Sequence, residues 1–324
     1  MNERLKVLEL LQEGKLTIEQ ADVLLSALDA KAKHPPFSRM PNWDRATQDF
    51  KSMGEKLSQA VSQTMTEIKK GVETQFEYVP FWDLTEARVE RRIPDGASAI
   101  HITSKNGKID IVDWDEPYAV VSVVGQVRAD DEQQAEEILE DAITAHTTDH
   151  NYHLQVKHRG KKGLVASTHM ELKLPREGRG STILHLDTKN GAITIGGVNV
   201  SDIHADTLNG AIRLFNTVAK NLHIHATNGR IVLENSVHPD TLRVYAETKN
   251  GMIQVVGLHP NLQIYGLAKT LFGRVQSTVP GLDVQFKDMN RRNEAIFHPV
   301  DASQGTVRTD LHLETKNGQI SMEP

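Results

Sequence analysis

Through the middle of the chain, apolar residues alternate with polar ones in short runs, and Asn-Gly interrupts each run at the same place. Successive asparagines of the central copies lie 19, 19 and 22 residues apart. Thr270–Gln276 is a diverged copy in which Phe272-Gly273 replaces Asn-Gly. A fixed period near 20 residues predicts a stacked repeat architecture. The regular copies are Ser104–Ile111, Thr188–Ile195, Thr207–Leu214, Ala226–Leu233, Thr248–Val255 and Thr315–Met322.

Asn-Gly between alternating apolar residues fits two structures. It is typical of a β-hairpin turn, which would give an antiparallel sandwich, and it also fits the corner of a parallel β-helix. The positions three after each Asn, and four and six before it, are apolar in nearly every copy, so that one face of each strand is buried. Hairpins do not need a constant period, whereas stacked coils do. The pattern therefore favours a mainly β fold, a right-handed parallel β-helix (solenoid) of about seven coils.

The Asn-Gly pairs have a structural interpretation in this β-helix. We expect each Gly to supply a positive φ at a corner and the Asn side chains to form hydrogen bonds along the coil axis. The Thr side chains two places before each Asn are also expected to form hydrogen bonds along the coil axis. The predicted corners are Asn106, Gly107, Asn190, Gly191, Asn209, Gly210, Asn228, Gly229, Asn250, Gly251, Asn317 and Gly318.

Two helical segments are predicted before the repeats. Residues 1–33 have the apolar spacing of a helical hairpin, with Gly14 as the first helix stop. The segment 34–85 begins with a Pro-rich linker and continues as a long amphipathic helix over about 43–76. This helix could pack on the β-helix, bind a partner or a second copy, or lie on a membrane surface. The repeat domain is predicted to span 86–324.

Within this domain, three segments are not part of the repeat. Residues 130–144 are predicted to be a helical insertion that could cap an end of the stack. The segment 80–95, with Arg88, Arg91 and Arg92, is interpreted as a solvated transition into the first coil. The polar segment 288–293 is interpreted as a long loop before the last copy.

The N-terminal run from Glu3 to Ala21, ERLKVLELLQEGKLTIEQA, resembles the short SHOCT-like helical module that opens bacterial proteins of the YvlB/LiaX type. Those proteins continue into an adhesin-like β-strand repeat domain, which the Thr-x-Asn-Gly-x-Ile-x-Ile copies resemble. The resemblance implies a non-enzymatic binding or scaffold role, linked to the cell envelope and its stress response. The N-terminal helices would then bind a protein partner or a second copy, and the repeats would present a surface to an envelope polymer or membrane.

Composition limits the other functions. The chain has 324 residues, no cysteine and a formal net charge of −6. The absence of cysteine excludes disulfides, thiolate zinc sites and cysteine-bound iron–sulfur clusters. The charge gives no basic footprint for nucleic acid. With neither a signal peptide pattern nor a long apolar segment, we expect a product that is cytoplasmic as synthesised and that could associate with a membrane or the cell surface. No cofactor is expected.

One polar column is a candidate for chemistry. Five places before the Asn, successive copies carry histidine or tyrosine, and three places before it they carry mainly acidic residues or histidine. Rows of imidazoles and carboxylates could bind a transition metal or respond to acid near pH 6. They could also be a solvent-facing polar ladder. The residues of this column are His185, His204, His223, Asp187, Asp206 and His225.

Two further hypotheses stay open from the sequence. Asp187, Asp206 and Glu247 are a group of carboxylates that a carbohydrate-active β-helix enzyme could use, although the repeat alone explains their spacing. The basic tip at 158–163 could contact phosphates or a teichoic-acid-like polyanion, or be a soluble hairpin end. No nucleophile elbow, phosphate loop or nicotinamide fingerprint is present.

Overall fold

A computed structural model describes residues 84–176, 180–258, 262–300 and 308–324, which belong to one compact unit. The predicted helical hairpin at 1–33 and the amphipathic helix at 43–76 lie outside these residues. The described part contains one helix, α1 (Glu132–Ala142). Its strands are β1 (Leu84–Ile93), β2 (Ala99–Trp114), β3 (Ala119–Arg128), β4 (Ile143–Thr148), β5 (Asn151–Val156), β6 (Val165–Pro175), β7 (Ile183–Asn190), β8 (Ile193–Gly196), β9 (Asn199–Asn209), β10 (Ile212–Phe215), β11 (Val218–Asn228), β12 (Ile231–Glu234), β13 (Arg243–Asn250), β14 (Ile253–Val256), β15 (Gln263–Phe272), β16 (Val275–Ser277), β17 (Leu282–Phe286), β18 (Glu294–Pro299), β19 (Arg308–Asn317) and β20 (Ile320–Met322).

The strands form two sheets that face each other across one core. Sheet A has the order β1-β3-β6-β2-β8-β10-β12-β14-β20-β16. Sheet B has the order β4-β5-β2-β7-β9-β11-β13-β19-β15-β18-β17, and β2 belongs to both. Each coil contributes one parallel strand to each sheet. The mainly β, solenoid-like stack predicted from the repeat is confirmed; its right-handedness stays a prediction.

The core consists of the positions that the repeat predicts. The column three places after each Asn, which includes Ile193, Ile212 and Ile231, is fully buried. Leu222 and Ile224, six and four places before Asn228, are also fully buried. Because equivalent residues pair in register, each apolar side chain packs on its counterpart in the neighbouring coil.

The corner asparagines form a continuous hydrogen-bonded column. Asn190 Nδ2 donates to Asn106 Oδ1 at 2.8 Å, and Asn209 donates to Asn190 at 2.8 Å. The column continues through Asn228 and Asn250 and ends at Asn317, whose amide donates to Asn250 at 2.6 Å. Each inner Asn therefore both donates to and accepts from a neighbouring coil.

The corner glycines have a different role from the predicted one. In the described residues, positive φ angles of glycine occur at Gly197, Gly257 and Gly281, and at none of the Asn-Gly corners. Glycine is needed there because the coils touch. A Cβ on Gly210 would lie 2.0 Å from the carbonyl oxygen of Gly191, and one on Gly229 would lie 1.7 Å from that of Gly210. The expectation of positive φ was wrong, and close backbone approach replaces it.

A threonine column supports the same corner from inside. Thr207 Oγ1 donates to the carbonyl of Gly191 at 3.0 Å, and Thr248 donates to that of Gly229 at 2.8 Å. Ala226 is fully buried in the equivalent position of the coil between them. The hydrogen bonding expected of these threonines is present, with one coil lacking the hydroxyl.

The coils do not follow the order of the sequence at either end. β19, from the C-terminal copy, lies between β13 and β15, and β2 lies between β5 and β7. At both ends, therefore, neighbouring coils in the stack are not neighbours in the sequence. The side-chain amide of Asn317 can donate to Asn250, whereas Phe272 has no side-chain amide. A coil without Asn therefore leaves the asparagine column unbroken only if it lies at the end of the column. Phe272 accordingly lies at the end, with 69% of its surface exposed.

Antiparallel strands close both ends of the stack. At one end β1 pairs with β3, so the segment containing Arg88, Arg91 and Arg92 is a strand and not a transition. Its Arg88 and Arg92 are exposed to solvent, as expected, and Arg91 is half-buried. The buried face of α1 contacts β1, β3 and β6. At the other end β17 and β18 form a hairpin that pairs with β15, and the loop predicted at 288–293 connects these two strands. Pairing of this kind protects the edges of an otherwise open parallel stack.

Candidate functional site

The outward side of sheet B carries the polar columns of the repeat. Along β9, for example, His204 and Asp206 point outward while Ile203 and Ala205 are buried. Parallel pairing in register places equivalent residues of β5, β2, β7, β9, β11, β13, β19 and β15 side by side. We call this surface the outer face. Neighbouring strands lie about 4.8 Å apart, and successive outward residues of one strand about 6.7 Å apart.

The histidines of the outer face form one stacked row, which we call the imidazole ladder. From His146 to His223, neighbouring ring centroids are 4.2–5.0 Å apart, with interplanar angles of at most 15°. Tyr245 follows His223 at 6.5 Å and stacks on His312 at 5.0 Å. In spatial order the ladder is His146, His153, His101, His185, His204, His223, Tyr245 and His312.

Two members of the ladder were missed by the sequence. His146 and His153 lie outside the Asn-Gly copies, and they join the ladder because β5 pairs with β2 and β4 pairs with β5. The alternation in Tyr152-His153-Leu154 was a signal that His153 points outward. Nothing in the sequence indicated which coil it would neighbour.

Carboxylates occupy the next column and pair locally in one half of the face. His225 Nδ1 lies 2.9 Å from Asp206 Oδ1. The Tyr245 hydroxyl donates to Glu247 at 2.6 Å, and His312 Nε2 lies 3.6 Å from Glu314. On the other side of the ladder, Asp202 accepts hydrogen bonds from Asn221 and Ser201. The carboxylates of this half of the face therefore have local hydrogen-bonding partners.

Burial and neighbouring imidazoles make three histidines of the ladder, His101, His185 and His204, hard to protonate. Partial burial, followed by the charges of His101 and His204, lowers the pKa of His185 to about 4. The pKa values of His101 and His204 are lowered for the same reasons. Burial and then Asp206 raise the pKa of Asp187. A fall in pH therefore makes this part of the surface more positive, because these three histidines, with their lowered pKa values, gain charge and Asp187, with its raised pKa, loses charge.

The ladder geometry favours titration over metal binding. A metal lies about 2.0–2.1 Å from a ligating nitrogen, in the plane of its ring, so parallel stacked rings do not direct their nitrogens at one point. Among the described residues, no three His, Asp or Glu side chains are grouped to hold a metal ion. His185, His204, His223 and His225 share the face with Asp187 and Asp206 as predicted. Metal binding by this column stays a prediction.

The outer face has a shallow groove rather than a deep cleft at its far end. The groove has a volume of about 420 Å³ and is bordered by residues of β11, β13, β19 and β15, including His225, Glu247, Lys249, Lys269 and Glu314. Both signs of charge line it. It can hold a segment of an extended polar ligand without enclosing it.

The basic tip at 158–163 folds against α1. Lys162 Nζ lies 3.0 Å from Glu137, and the Lys162 backbone amide donates to Asp141 at 3.0 Å. A polyanion would have to compete with these carboxylates at Lys162. No helix in the described residues is long and apolar enough to span a bilayer.

Solved structures similar to this chain come from several bacteria. A "putative cell adhesion protein" from Clostridium sporogenes is 15% identical, with 74% of this chain and 99% of that one covered and a TM-score of 0.42. A "putative adhesin" from Bacteroides fragilis is 9% identical, with 74% and 96% covered and a TM-score of 0.39. A "putative lipid binding protein" from Parabacteroides distasonis is 10% identical, with 73% and 96% covered and a TM-score of 0.29.

Family models match both parts of the sequence. Residues 2–33 match the SHOCT-like domain, and residues 97–323 match the Toastrack DUF4097 domain. Comparison with curated proteins gives no match. The combination of modules expected from the sequence resemblance is confirmed. The chain belongs to the Toastrack DUF4097 family, with a SHOCT-like domain before it.

Proposed function

We propose that this chain is a non-enzymatic binding protein of the bacterial cell-envelope stress response, and that its outer face binds an envelope component. The observation that supports the proposal is the in-register arrangement of polar columns over eight parallel strands. A linear polymer lying across the strands would meet outward side chains, most of them polar, at the same strand positions about every 4.8 Å.

The N-terminal part would couple binding to a response. A helical hairpin of about 30 residues buries too little surface to be stable alone, so the SHOCT-like domain at 2–33 is proposed to bind a protein partner or a second copy. The segment 43–76 is the candidate for peripheral membrane binding. Flotation of the full chain with anionic liposomes tests that alternative, and binding lost when Phe50, Leu57 and Ile68 are changed to Ser would support it.

Binding by the outer face is tested with the full-length chain and insoluble bacterial envelope material at pH 7.5. The variant His204→Ala/His223→Ala/Glu247→Ala removes three partly exposed side chains from the middle of the face. We expect at least a tenfold loss of bound protein. The control Arg213→Ala/Gln254→Ala changes outward residues of sheet A and should bind as the parent does. Equal binding by the parent and the triple variant would contradict the proposal.

One observation favours a second candidate, a carbohydrate-active enzyme. Burial and Asp206 raise the pKa of Asp187, which lies on the strand next to Asp206, and glycoside hydrolysis uses a pair of neighbouring carboxyl groups. The test is a screen of envelope glycans for turnover by the parent and by Asp187→Asn/Asp206→Asn. Turnover that disappears in the variant would establish catalysis and replace the binding proposal.

A further inference from the structure

One end of the outer face differs in charge from the rest. At β4, β5, β2 and β7 the ladder consists of His146, His153, His101 and His185. The column beside it holds Thr144, Gln155, Thr103 and Asp187 at these strands, whereas elsewhere it holds Asp206, His225, Glu247, Glu314 and Lys269. Four stacked imidazoles therefore face a single carboxylate.

A row of lysines runs parallel to these imidazoles. Ser104 pairs with Val156 on one side and with Thr188 on the other. The residues that follow these three, Lys105, Lys157 and Lys189, therefore lie side by side. All three lysines are exposed, and within the described ranges none forms an ion pair. The lysines lie four residues along their strands from the imidazoles, about 13 Å away.

Between the lysine row and the imidazole row lies a strip in which β5 and β2 carry neutral donors, and β7 carries Asp187 beside them. Thr103 supplies a hydroxyl and Gln155 an amide, and both point outward because Ile102 and Leu154 on either side are buried. An anionic group over this strip would be about 7 Å, measured along the strand, from each row. Flexible lysine and imidazole side chains can cover that distance. We call the three rows at β4, β5, β2 and β7 the cationic patch.

We infer that the cationic patch is a binding site for an extended polymer of phosphate groups and that acid strengthens the binding. The polymer lies across the strands with its phosphates over Gln155 and Thr103. The lysines hold it at neutral pH, and the imidazoles add positive charge as they take up protons. The inference rests on the proposed function, since it names the ligand class for one part of the outer face.

The charged groups around the ladder give the sign of the pH effect. His146 lies on β4, Asp149 and His150 in the turn that follows, His153 on β5 with Lys157 directly after that strand, and His101 and Lys105 on β2. β7 brings His185, Asp187 and Lys189, and β9 brings Asp202, His204 and Asp206. Protonation of the imidazoles or of Asp187 raises the net positive charge. Because the lowered pKa of His101 and His185 opposes protonation of the free protein, polymer binding has to be accompanied by proton uptake.

The experiment measures the affinity of the full chain for long-chain polyphosphate at pH 7.5 and pH 5. We expect about tenfold tighter binding at pH 5. Calorimetry at pH 5 in two buffers of different ionisation enthalpy should show protons entering the complex. Inorganic phosphate should bind at least about a hundredfold more weakly, because one phosphate cannot meet several strands. Equal affinity at the two pH values, or equally tight binding of inorganic phosphate, would overturn the inference.

Two variants and one matched control locate the site. Lys105→Gln/Lys157→Gln/Lys189→Gln should weaken binding at least tenfold at both pH values and flatten its salt dependence. His101→Gln/His153→Gln should reduce the acid gain from about tenfold to less than about twofold. Arg213→Gln/Arg230→Gln/Arg274→Gln removes the same charge as the lysine variant but lies away from the outer face, and should change affinity less than twofold. Circular dichroism checks that each variant is folded.

Other outcomes separate this inference from the proposed function. If vesicles of phosphatidylglycerol bind at the patch and polyphosphate does not, the polymer assignment is wrong. If the arginine control weakens binding as much as the lysine variant does, the charge effect is general and the site is wrong. In either case the loss of envelope binding in His204→Ala/His223→Ala/Glu247→Ala would still support the proposed function. If that variant kept its envelope binding, the proposed function would be wrong. Polyphosphate binding at the patch would still be decided by the lysine and histidine variants.

Discussion

Replacing one corner glycine by alanine tests why these corners contain glycine. A Cβ at position 210 would lie 2.0 Å from the carbonyl oxygen of Gly191 and 2.5 Å from its carbon. Both are far below ordinary contact distances, and the obstacle is backbone rather than a mobile side chain. A normal contact between such atoms is about 3.5 Å. To bring the Cβ that far from the Gly191 carbonyl oxygen, now 2.0 Å away, the two coils would have to move apart by more than about 1 Å at this corner.

That movement breaks the hydrogen bonds that hold the corner. Gly191 N donates to Asn209 O at 3.0 Å, Thr207 Oγ1 donates to Gly191 O at 3.0 Å, and Asn209 Nδ2 donates to Asn190 Oδ1 at 2.8 Å. Three hydrogen bonds at about 1 kcal/mol each, with about 1–2 kcal/mol of packing strain, predict a loss of about 4–5 kcal/mol in the free energy of unfolding for Gly210→Ala.

The assay is urea denaturation of the full chain, followed by the β-sheet circular dichroism signal. Gly180→Ala is the matched control, since its nearest neighbour would be Asn199 Oδ1 at 3.9 Å, and it should change stability by less than about 0.5 kcal/mol. Gly281→Ala has open space but a φ of +74°, and should cost about 1–2 kcal/mol. If Gly281→Ala destabilised the chain more than Gly210→Ala, close approach would not be the reason for glycine at the corners.

Two further predictions concern the coil interior and the ladder. Ala226→Thr should raise the free energy of unfolding by about 0.5–1 kcal/mol, because the new hydroxyl can donate to the Gly210 carbonyl as the neighbouring threonines donate to theirs. A lower free energy of unfolding in urea denaturation would contradict this and show that the buried position cannot hold the larger side chain. The folded-state pKa of His185 is about 4, below its unfolded value of 6.5, so the unfolded chain binds more protons between these values and stability falls as pH falls from 6.5 to 4. Since the ring is partly exposed, screening reduces this contribution to about 1 kcal/mol. Stability measured at several pH values should fall less steeply for His185→Gln, and an identical slope would contradict the assignment.

The sequence period was sufficient to predict the stack and its register. Because each copy repeats the same buried positions, one register satisfies every strand, and Ile193, Ile212 and Ile231 pair as expected. The outward columns follow from the same register, so the positions of His185, His204 and His223 on one face were also predictable.

The order of the coils was not predicted from the period. Because the copies have the same buried positions and the same corner, any copy can pair in register with any other. The replacement of Asn by Phe272 was the relevant signal, since a residue without an amide interrupts the asparagine column unless it lies at the end. The coil formed by β5 and β6 similarly lacks Asn-Gly and lies outside β2. Its position brings His146 and His153 to the ladder and creates the cationic patch, which no single copy of the repeat indicates.

The most direct test of the assembled outer face uses the absence of native cysteine. β19 lies between β13 and β15, so Glu247 pairs with Glu314, and Glu314 pairs with Lys269. Paired Cα atoms about 4.8 Å apart suit a disulfide, whereas atoms two strands apart, at about 9.6 Å, do not. After mild oxidation, mass spectrometry should find an intramolecular disulfide in Glu247→Cys/Glu314→Cys and free thiols in Glu247→Cys/Lys269→Cys. The reverse result would show that the coils follow the sequence, and the columns of the outer face would then have to be rebuilt.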